Sequence, residues 1–383
     1  MSVVELVRDA VTSPTNRNNP VTPEIKVLTA LHYLATGKMQ LCSADELVIS
    51  QPSISRILHQ TINALFRPHI VRQFIWFPLD VRQLQRNKVH FMAIAGLFGV
   101  VGAIDGTHVR IIAPSQHEHA FVNRKKNHSI NTQVVFDANY NILVIVAKWP
   151  GTTHDSQILQ ESGLRLLFER HHVPARCHLV GDSGYPCRTW LPSPYIHPQL
   201  GPQLNYNRVH KKTRSVIERG IGQMKRRFHS LHGEIRLTPD KASRIITVCA
   251  ILHNLCKQQN IPQPEEYEED DDDDDDDDDD VAAADDDEGG VAVHILQKML
   301  MEQDHHQSLQ DWQEQGLERG QQEPGGKKKG AGQRGGRINT RAHGSGRALN
   351  STVFSAIVVL GKARMKTRSV GDADANTEKV RNG

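Results

Sequence analysis

The stretch that decides the fold is GVVGAIDGTHVRIIA, residues 99–113. Its valines and isoleucines predict a buried strand, yet Asp105 stands in the middle of the run, where an unpaired charge is costly. Two more acids share a glycine-rich or apolar setting, Asp182 in HLVGDSGY and Glu218 in TRSVIERGIGQMKRRF. If the three side chains converge, their oxygens form the kind of site that binds a hard divalent cation together with a phosphate.

Strand and helix patterns alternate across residues 99–260. Strands are predicted at 99–113, 130–138 and 140–149, with a turn at Ala138-Asn139, and a fourth in ARCHLVGDSGY, residues 175–185, where the strand ends at Asp182. Helices are predicted at 154–171, 213–231 and 241–260. This order indicates an α/β fold with a mixed sheet flanked by helices. A sheet of four or five strands that places the strands of Asp105 and Asp182 side by side would bring both carboxylates together.

Residues 1–98 are predicted to form a small all-α region and a connector. Thr22 and Pro23 are typical of a helix start, and ISQPSISRIL, residues 49–58, opens a second helix after the short segment SADELVI. Two short helices of this kind resemble a helix-turn-helix that leaves Gln51, Ser53, Arg56 and His59 for DNA. An ordinary three-helix scaffold explains the same spacing.

Charge divides the chain into a basic body and an acidic tail. Residues 1–260 carry 31 Lys+Arg and 16 Asp+Glu, a net of +15, whereas residues 261–383 carry 15 and 28, a net of −13. A basic body indicates a polyanionic partner, with the tail screening or competing for it, although a solvated basic face gives the same count. The acidic run and the Gly/Lys/Arg-rich stretch beyond it predict a mostly disordered tail over 261–383.

Each acid also has an ordinary structural interpretation. Asp105 and Asp182 both precede residues typical of turns. Glu218 could pair with Arg214 or Lys225 on a helix surface. Asp155, which opens the helix at 154–171, is a fourth candidate metal ligand or support, but it also suits a helix start.

A substrate with phosphates would need cations around these acids. The candidate DNA-binding residues cluster in VNRKKNH, on the basic helix that carries Glu218, and in the first region: Arg124, Lys125, Lys126, Lys211, Lys212, Arg214, Lys225, Arg226, Arg227 and Arg56. Trp149, Tyr185 and Trp190 are close to the acids in sequence and could stack on an unpaired base, although a core role suits Trp149 better.

Cysteine usage and hydropathy bound the compartment. Five cysteines without CxxC spacing favour reduced thiols inside the cell over a disulfide framework or a zinc site. No signal-peptide pattern is evident at the start, and no apolar stretch approaches the ~20 residues that span a bilayer. We therefore expect a nuclear or cytoplasmic protein without a membrane partner.

At these motifs the sequence resembles the DDE superfamily of transposase-derived nucleases, and within it the PIF/Harbinger family. The resemblance covers about residues 22–260 and rests on stretches in matching order: ISQPSISRIL, AIDGTHVRI, VNRKKNHSINTQVVFDANYNI, WPGTTHDSQIL, LVGDSGYPCRTWL, SVIERGIGQMKRRFHSL and KASRIITVCAILHNL. It implies an RNase H-like fold over 99–260 and a catalytic trio that falls on Asp105, Asp182 and Glu218.

The same resemblance implies a Mg²⁺- or Mn²⁺-dependent DNA endonuclease, a nuclear location and a Myb/SANT-like protein partner. A DNA-binding adaptor that has lost cleavage is the alternative. Family members usually carry a further N-terminal helical region, and a shortened first domain would weaken DNA binding more than metal binding. The end after about residue 320 has no counterpart in the family pattern.

Overall fold

The computed structural model describes residues 2–15, 20–40 and 49–263. Its first part is helical, with α1 at Val3–Val11, α2 at Pro23–Thr36, α3 at Gln51–Leu65, α4 at Pro68–Phe74 and α5 at Val81–Ala95. Helix α2 begins as predicted, with the Thr22 hydroxyl accepting from the Ile25 amide and Pro23 in the first turn. Helix α1 was not predicted, although Ser2 and Glu5 form a reciprocal capping box at its start.

Two predictions fall on residues outside the described ranges. The segment SADELVI, the first half of the helix-turn-helix pattern, lies almost wholly in 41–48, so that motif stays a prediction. The acidic and Gly/Lys/Arg-rich tail lies almost wholly in 264–383. The connector predicted at residues 67–98 is partly helical, because its seven residues Pro68–Phe74 form α4.

The sheet has four strands: β1 at Val100–Arg110, β2 at Ser129–Phe136, β3 at Ile142–Pro150 and β4 at His178–Val180. Their order is β3-β2-β1-β4. Strands β1, β2 and β3 form an antiparallel meander, whereas β4 pairs with β1 in parallel. The mixed sheet, and the adjacency of the strands that lead to Asp105 and Asp182, are therefore confirmed.

The helices around the sheet differ from prediction in two places. The pattern at 154–171 forms two short helices, α7 at Asp155–Gln160 and α8 at Gly163–Glu169, because the Ser162 hydroxyl caps a new start by accepting from the Arg165 amide. Helix α9 runs over Pro202–Arg227 and so begins well before Thr213, with Pro202 in its first turn. A short helix α6 at Glu118–Phe121, a 3₁₀ turn at His229–Leu231 and α10 at Pro239–Gln258 complete the order.

Apolar side chains cover both faces of the sheet. On one face, Phe136 and Ile217 belong to a cluster that also takes in α1 to α4 and α10. On the other, Val101 and Ile104 pack with residues of α7 and α8. Helix α10 also holds the helical region through polar contacts, since Asn254 Nδ2 donates to Phe74 O at 2.8 Å. The domain boundary predicted at residue 98 falls in the turn between α5 and β1, and it stays a prediction.

Candidate active site

Asp105 lies within β1, and Asp182 lies at the corresponding point just beyond β4, the parallel neighbour of β1. Ala103 pairs with Val180, so Asp105 and Asp182 each lie two residues beyond this last pair. A carbon added at Gly181 would lie 3.0 Å from Ile104 Cγ2, so Gly181 packs against a side chain of β1 just past that pair. Strand β4 ends at Val180 rather than at Asp182. The second acid is therefore in the following turn, where its Oδ1 accepts from the Gly184 amide at 3.1 Å.

Asp105 is the most electrostatically perturbed carboxylate of the site. Burial raises its pKa to about 6, with the negative charges of Asp182 and Asp155 acting in the same direction. The Gly106 amide, which donates to Asp105 Oδ1 at 2.8 Å, and the Arg214 guanidinium lower the pKa but do not outweigh the burial. The surroundings of Asp105 therefore disfavour the ionised form of its carboxyl group.

Asp155 joins the same cluster from a loop and helix on the neighbouring side. Its carboxylate lies against Gly106, so closely that a Cβ atom at residue 106 would overlap it. Asn131 on β2 orients the group by donating from Nδ2 to Asp155 Oδ1 at 3.0 Å and to Thr153 O at 2.8 Å. The interpretation of Asp155 as a helix-start residue is also met in part, because Asp155 is the first residue of α7 after His154. A place at the helix start and a place in the acidic cluster are compatible.

Arg214 links Glu218 to the cluster. The guanidinium donates from Nη2 to Glu218 Oε1 at 2.6 Å and from Nη1 to Asp105 Oδ2 at 3.2 Å. The surface-pair interpretation of Glu218 with Arg214 is thus realised, but the same arginine ties Glu218 to Asp105. Glu218 keeps about half of its side chain exposed, at 52%, against 17% for Asp105.

The four acids are neighbours, but their carboxylates are not arranged around one metal position. Within the described ranges, no three Asp, Glu, His or Cys side chains are placed so that they could hold one metal ion. Asp105, Asp155 and Asp182 interact electrostatically, while Arg214 stands between Asp105 and Glu218.

Most of the basic residues singled out from the sequence are exposed or partly exposed. Arg124 Nη2 donates to His154 Nδ1, the residue before Asp155, at 3.0 Å. Lys225 is partly buried, which lowers its pKa, and donates to His108 O at 3.3 Å. The exposed members are Arg56, Arg124, Lys125, Lys126, Lys211 and Lys212, and Arg226 is partly exposed.

Arg227 is a correction. It is 1% exposed and donates to Ile261 O at 3.4 Å, so it does not face a phosphate on the surface. Arg227 belongs to the buried positions of α9, as Val216 and Met224 do. A run of three basic residues on a helix cannot point one way, because successive positions differ by about 100°.

Two predicted stacking residues are also corrected. Trp190 is 8% exposed and stacks on Phe168 with ring centroids 4.8 Å apart, and Tyr185 is 3% exposed. Neither ring can stack on a base without leaving the core. Tyr185 instead contributes a buried hydroxyl beside the acids. Burial raises the pKa of this hydroxyl, and the nearby charges of Asp155, Asp105 and Asp182 raise it further.

Three residues that shape the site were not predicted from the sequence: Gly106, Asn131 and Gln133. Asn131, Thr132 and Gln133 are buried in a central strand, and Gln133 lies beside the Tyr185 hydroxyl. A run of polar residues inside a strand that is otherwise apolar is a signal that the sequence does carry, because buried polar groups need partners.

Comparisons with known proteins identify related sequences. Residues 104–254 match the family of DDE superfamily endonucleases, a range that includes all four acids. The chain is 37% identical over 256 residues to HARBI1 of Rattus norvegicus, covering 66% of this chain and 72% of that protein. HARBI1 of Homo sapiens is 35% identical over 282 residues, covering 70% and 80%. HARBI1 bears the name of a nuclease.

A plant protein is more distantly similar. The ALP1-like protein of Arabidopsis thaliana is 27% identical over 257 residues, covering 63% of this chain and 62% of that protein. No solved structure matches the chain. Across the described part of the chain, no helix has the length and apolar content that crossing a membrane requires.

Proposed function

This chain belongs to the Harbinger family of transposase-derived nucleases in the DDE superfamily, and from that premise we propose that it is a divalent-metal-dependent DNA endonuclease. The observation that carries the proposal is the placement of Asp105 and Asp182 beside adjacent parallel strands, with Asp155 against Gly106. Such an arrangement supplies oxygen donors from three elements to one end of the sheet.

The donors fit Mg²⁺ or Mn²⁺ in kind. Both ions prefer carboxylate oxygen, and cysteine or histidine would favour softer metals. The raised pKa of Asp105 supports a cation at this place, because a bound cation would offset the burial that now disfavours the charged form. Bound cations would activate a water and stabilise the entering and leaving oxygens of a phosphodiester.

The roles of the residues follow from their present contacts. Asp105 and Asp182 would hold the metal ions, and Asp155, fixed by Asn131, would support them. Glu218 would complete the shell. That role requires Arg214 to release Asp105 and Glu218, since its guanidinium now contacts both. A freed Arg214 would be available to contact a DNA phosphate, a ligand that its planar fork suits.

A second function is supported by the same arginine. The alternative is a DNA-binding adaptor of transposase origin that no longer cuts. In the present arrangement Arg214 offsets part of the negative charge of the acidic cluster, which would lessen the repulsion of DNA phosphates in the absence of metal. The two functions differ in whether divalent ions bind to the folded chain.

We propose further that the protein acts in the nucleus and is also present in the cytoplasm. The family resemblance supports this location, and it supports a Myb/SANT-like protein as partner. Expression of the tagged chain in cells, followed by microscopy, tests the location. Exclusion from nuclei would argue against it.

A nicking assay tests the enzymatic function. Supercoiled plasmid is incubated with the full chain and Mn²⁺ or Mg²⁺, and with the variants Asp182→Asn and Asp240→Asn. Asp240 is an exposed acid on α10 that pairs with Arg244, so its variant controls for loss of one negative charge. We expect nicking by the parent and by Asp240→Asn, and none by Asp182→Asn with its fold retained.

Calorimetry with Mn²⁺ separates the two functions. Binding of the ion to the parent chain, weakened in Asp182→Asn, supports the endonuclease. DNA binding without any binding of Mn²⁺ favours the adaptor, and equal nicking by Asp182→Asn would remove that residue from the mechanism.

A further inference from the structure

One face of helix α9 carries a stripe of basic residues next to the candidate active site. Arg208, Lys212 and Arg219 are exposed, and their spacing of four and seven residues places them on a common side of the helix. Gln223 continues this side one turn further on. Glu218 is the one acid within the 26 residues of α9, and it lies toward the neighbouring side with Arg214. We refer to Arg208, Lys212 and Arg219 as the basic stripe.

The end of the described chain lies against the C-terminal part of α9. Gln263 Nε2 donates to Gln223 Oε1 at 3.2 Å. Two residues earlier, Ile261 is buried and its carbonyl accepts from Arg227, also on α9, at 3.4 Å. The chain therefore leaves the fold one helical turn from Arg219, and not at a remote point of the surface.

A strongly acidic segment starts two residues after that contact. Of the 16 residues from 265 to 280, 15 are Asp or Glu, and Tyr267 is the exception. We refer to residues 265–280 as the acidic run. The distance from Gln223 to Arg208 along the helix is about 22 Å, whereas 16 extended residues reach about 50 Å. The acidic run is long enough to follow the whole basic stripe.

We propose that the acidic run binds the basic stripe of α9 in the same molecule and competes there with DNA. The chemistry that recognises it is the opposite charge of the stripe, the same feature that would attract a DNA backbone. The tether acts in favour of the acidic run, because a short connection gives a millimolar effective concentration at the stripe. The contact itself does not depend on the proposed endonuclease, and only the identity of the displaced ligand rests on it.

The proposal makes the DNA affinity of this chain depend on its own tail. Both interactions weaken as the salt concentration rises. Salt screens the attraction between the acidic run and the basic stripe, and it opposes the release of counterions that accompanies DNA binding. At low salt the acidic run would hold the stripe, and only DNA that makes enough phosphate contacts would displace it. The tail would thus reduce non-specific binding more than it reduces binding at a preferred site.

Cross-linking of the full chain tests the contact without any DNA. A carbodiimide joins a carboxylate to a lysine only when the two are in contact, and mass spectrometry identifies the pair. We expect cross-links from residues 265–280 to Lys212 and its neighbour Lys211, and few to Lys88, Lys148 and Lys241, which lie on other elements. Equal cross-linking to all these lysines, or none, would overturn the proposal.

Matched substitutions in the full chain test the competition. One variant changes Glu265, Glu266, Glu268 and Glu269 to Gln, and the control changes the same number of acids further on, Asp285, Asp286 and Asp287 to Asn and Glu288 to Gln. Affinity for a labelled DNA duplex is measured by fluorescence anisotropy at two salt concentrations. We expect the first variant to bind DNA several-fold more tightly than the control, with a larger variant, Asp270 to Asp280 all changed to Asn, gaining about tenfold.

The outcomes separate this proposal from the proposed function. Equal gains in the first variant and its control would show that total charge, and not a contact with α9, sets the affinity, and would overturn the competition. If no variant binds DNA, the proposed function fails, and the cross-links alone decide the contact. A gain that disappears when Arg208, Lys212 and Arg219 are also changed to Gln supports both.

Discussion

Arg214 and Asp105 form an ion pair at 3.2 Å that joins a helix of the candidate site to its central strand. The two residues are 109 positions apart in sequence. The same guanidinium contacts Glu218 at 2.6 Å, so one positive charge is shared between two of the acids that we propose to be catalytic. A divalent cation bound by Asp105 and Glu218 would therefore compete with the Arg214 guanidinium for their carboxylates.

Replacing Arg214 should strengthen binding of divalent ions. In Arg214→Gln a metal ion no longer competes with a guanidinium for Asp105 and Glu218, and we expect Mn²⁺ to bind up to about tenfold more tightly, or about 1.4 kcal/mol. Calorimetry with Mn²⁺ measures the change. The control is Arg219→Gln, an exposed arginine on the same helix whose Nη2 contacts Ser215. Weaker Mn²⁺ binding in Arg214→Gln than in the control would show that the arginine supports the metal site.

A methyl group at residue 106 should disturb the site. The Cβ atom of Gly106→Ala would overlap the Asp155 carboxylate, so either that side chain moves or the strand shifts. We expect a loss of about 1–3 kcal/mol in the free energy of unfolding and weaker nicking. Urea denaturation measures the first. Gly163→Ala is the matched control, because nothing lies within 4 Å of the added carbon, and unchanged stability in both variants would contradict the overlap.

The charge on Asp105 should make stability depend on pH. Its folded pKa of about 6 exceeds the ordinary value of 3.8, so the folded state binds this proton more tightly than the unfolded state does. The resulting stabilisation is fully present below about pH 4 and is lost as the pH rises through 6. Asp105→Asn should therefore be more stable than the parent at pH 8, by on the order of 2 kcal/mol, with the difference shrinking at pH 4.

Urea denaturation at pH 4, 6 and 8 with a chelator present measures this dependence. The chelator is needed because a bound cation would stabilise the ionised carboxylate. Asp240→Asn, which removes an exposed acid, serves as control and should show no comparable change with pH. A constant difference between parent and Asp105→Asn at all three pH values would disagree with the raised pKa.

Asn254 should be a strong stability determinant far from the site. Its Oδ1 accepts from the Ile142 amide at 2.8 Å, and its Nδ2 donates to Phe74 O at 2.8 Å and to Ile142 O at 2.7 Å. Asn254→Ala would leave these buried groups without partners, at a cost of about 2–4 kcal/mol. Gln258→Ala, at an exposed position of the same helix, should cost under ~0.5 kcal/mol. Urea denaturation of both variants checks the difference.

The sequence by itself determined the α/β class, the order of strands β1 to β4 and the identity of the four acids. Strand patterns with a period of two and helix patterns near 3.6 are local, so β1, β2, β3 and α10 could be placed from residues near one another in the chain. Errors occurred where local signals compete. The Ser162 cap divided one predicted helix, and the start of α9 lies in a segment whose prolines indicate a loop.

Only the tertiary structure decided which acids meet and what stands between them. The parallel pairing of β4 with β1 sets Asp182 beside Asp105, and the close approach of Asp155 to Gly106 depends on packing across the sheet. The same holds for Arg227, buried inside a basic run, and for Gln263 on Gln223. These contacts join residues far apart in the chain, so their geometry follows from register and packing, which no local pattern of residues encodes.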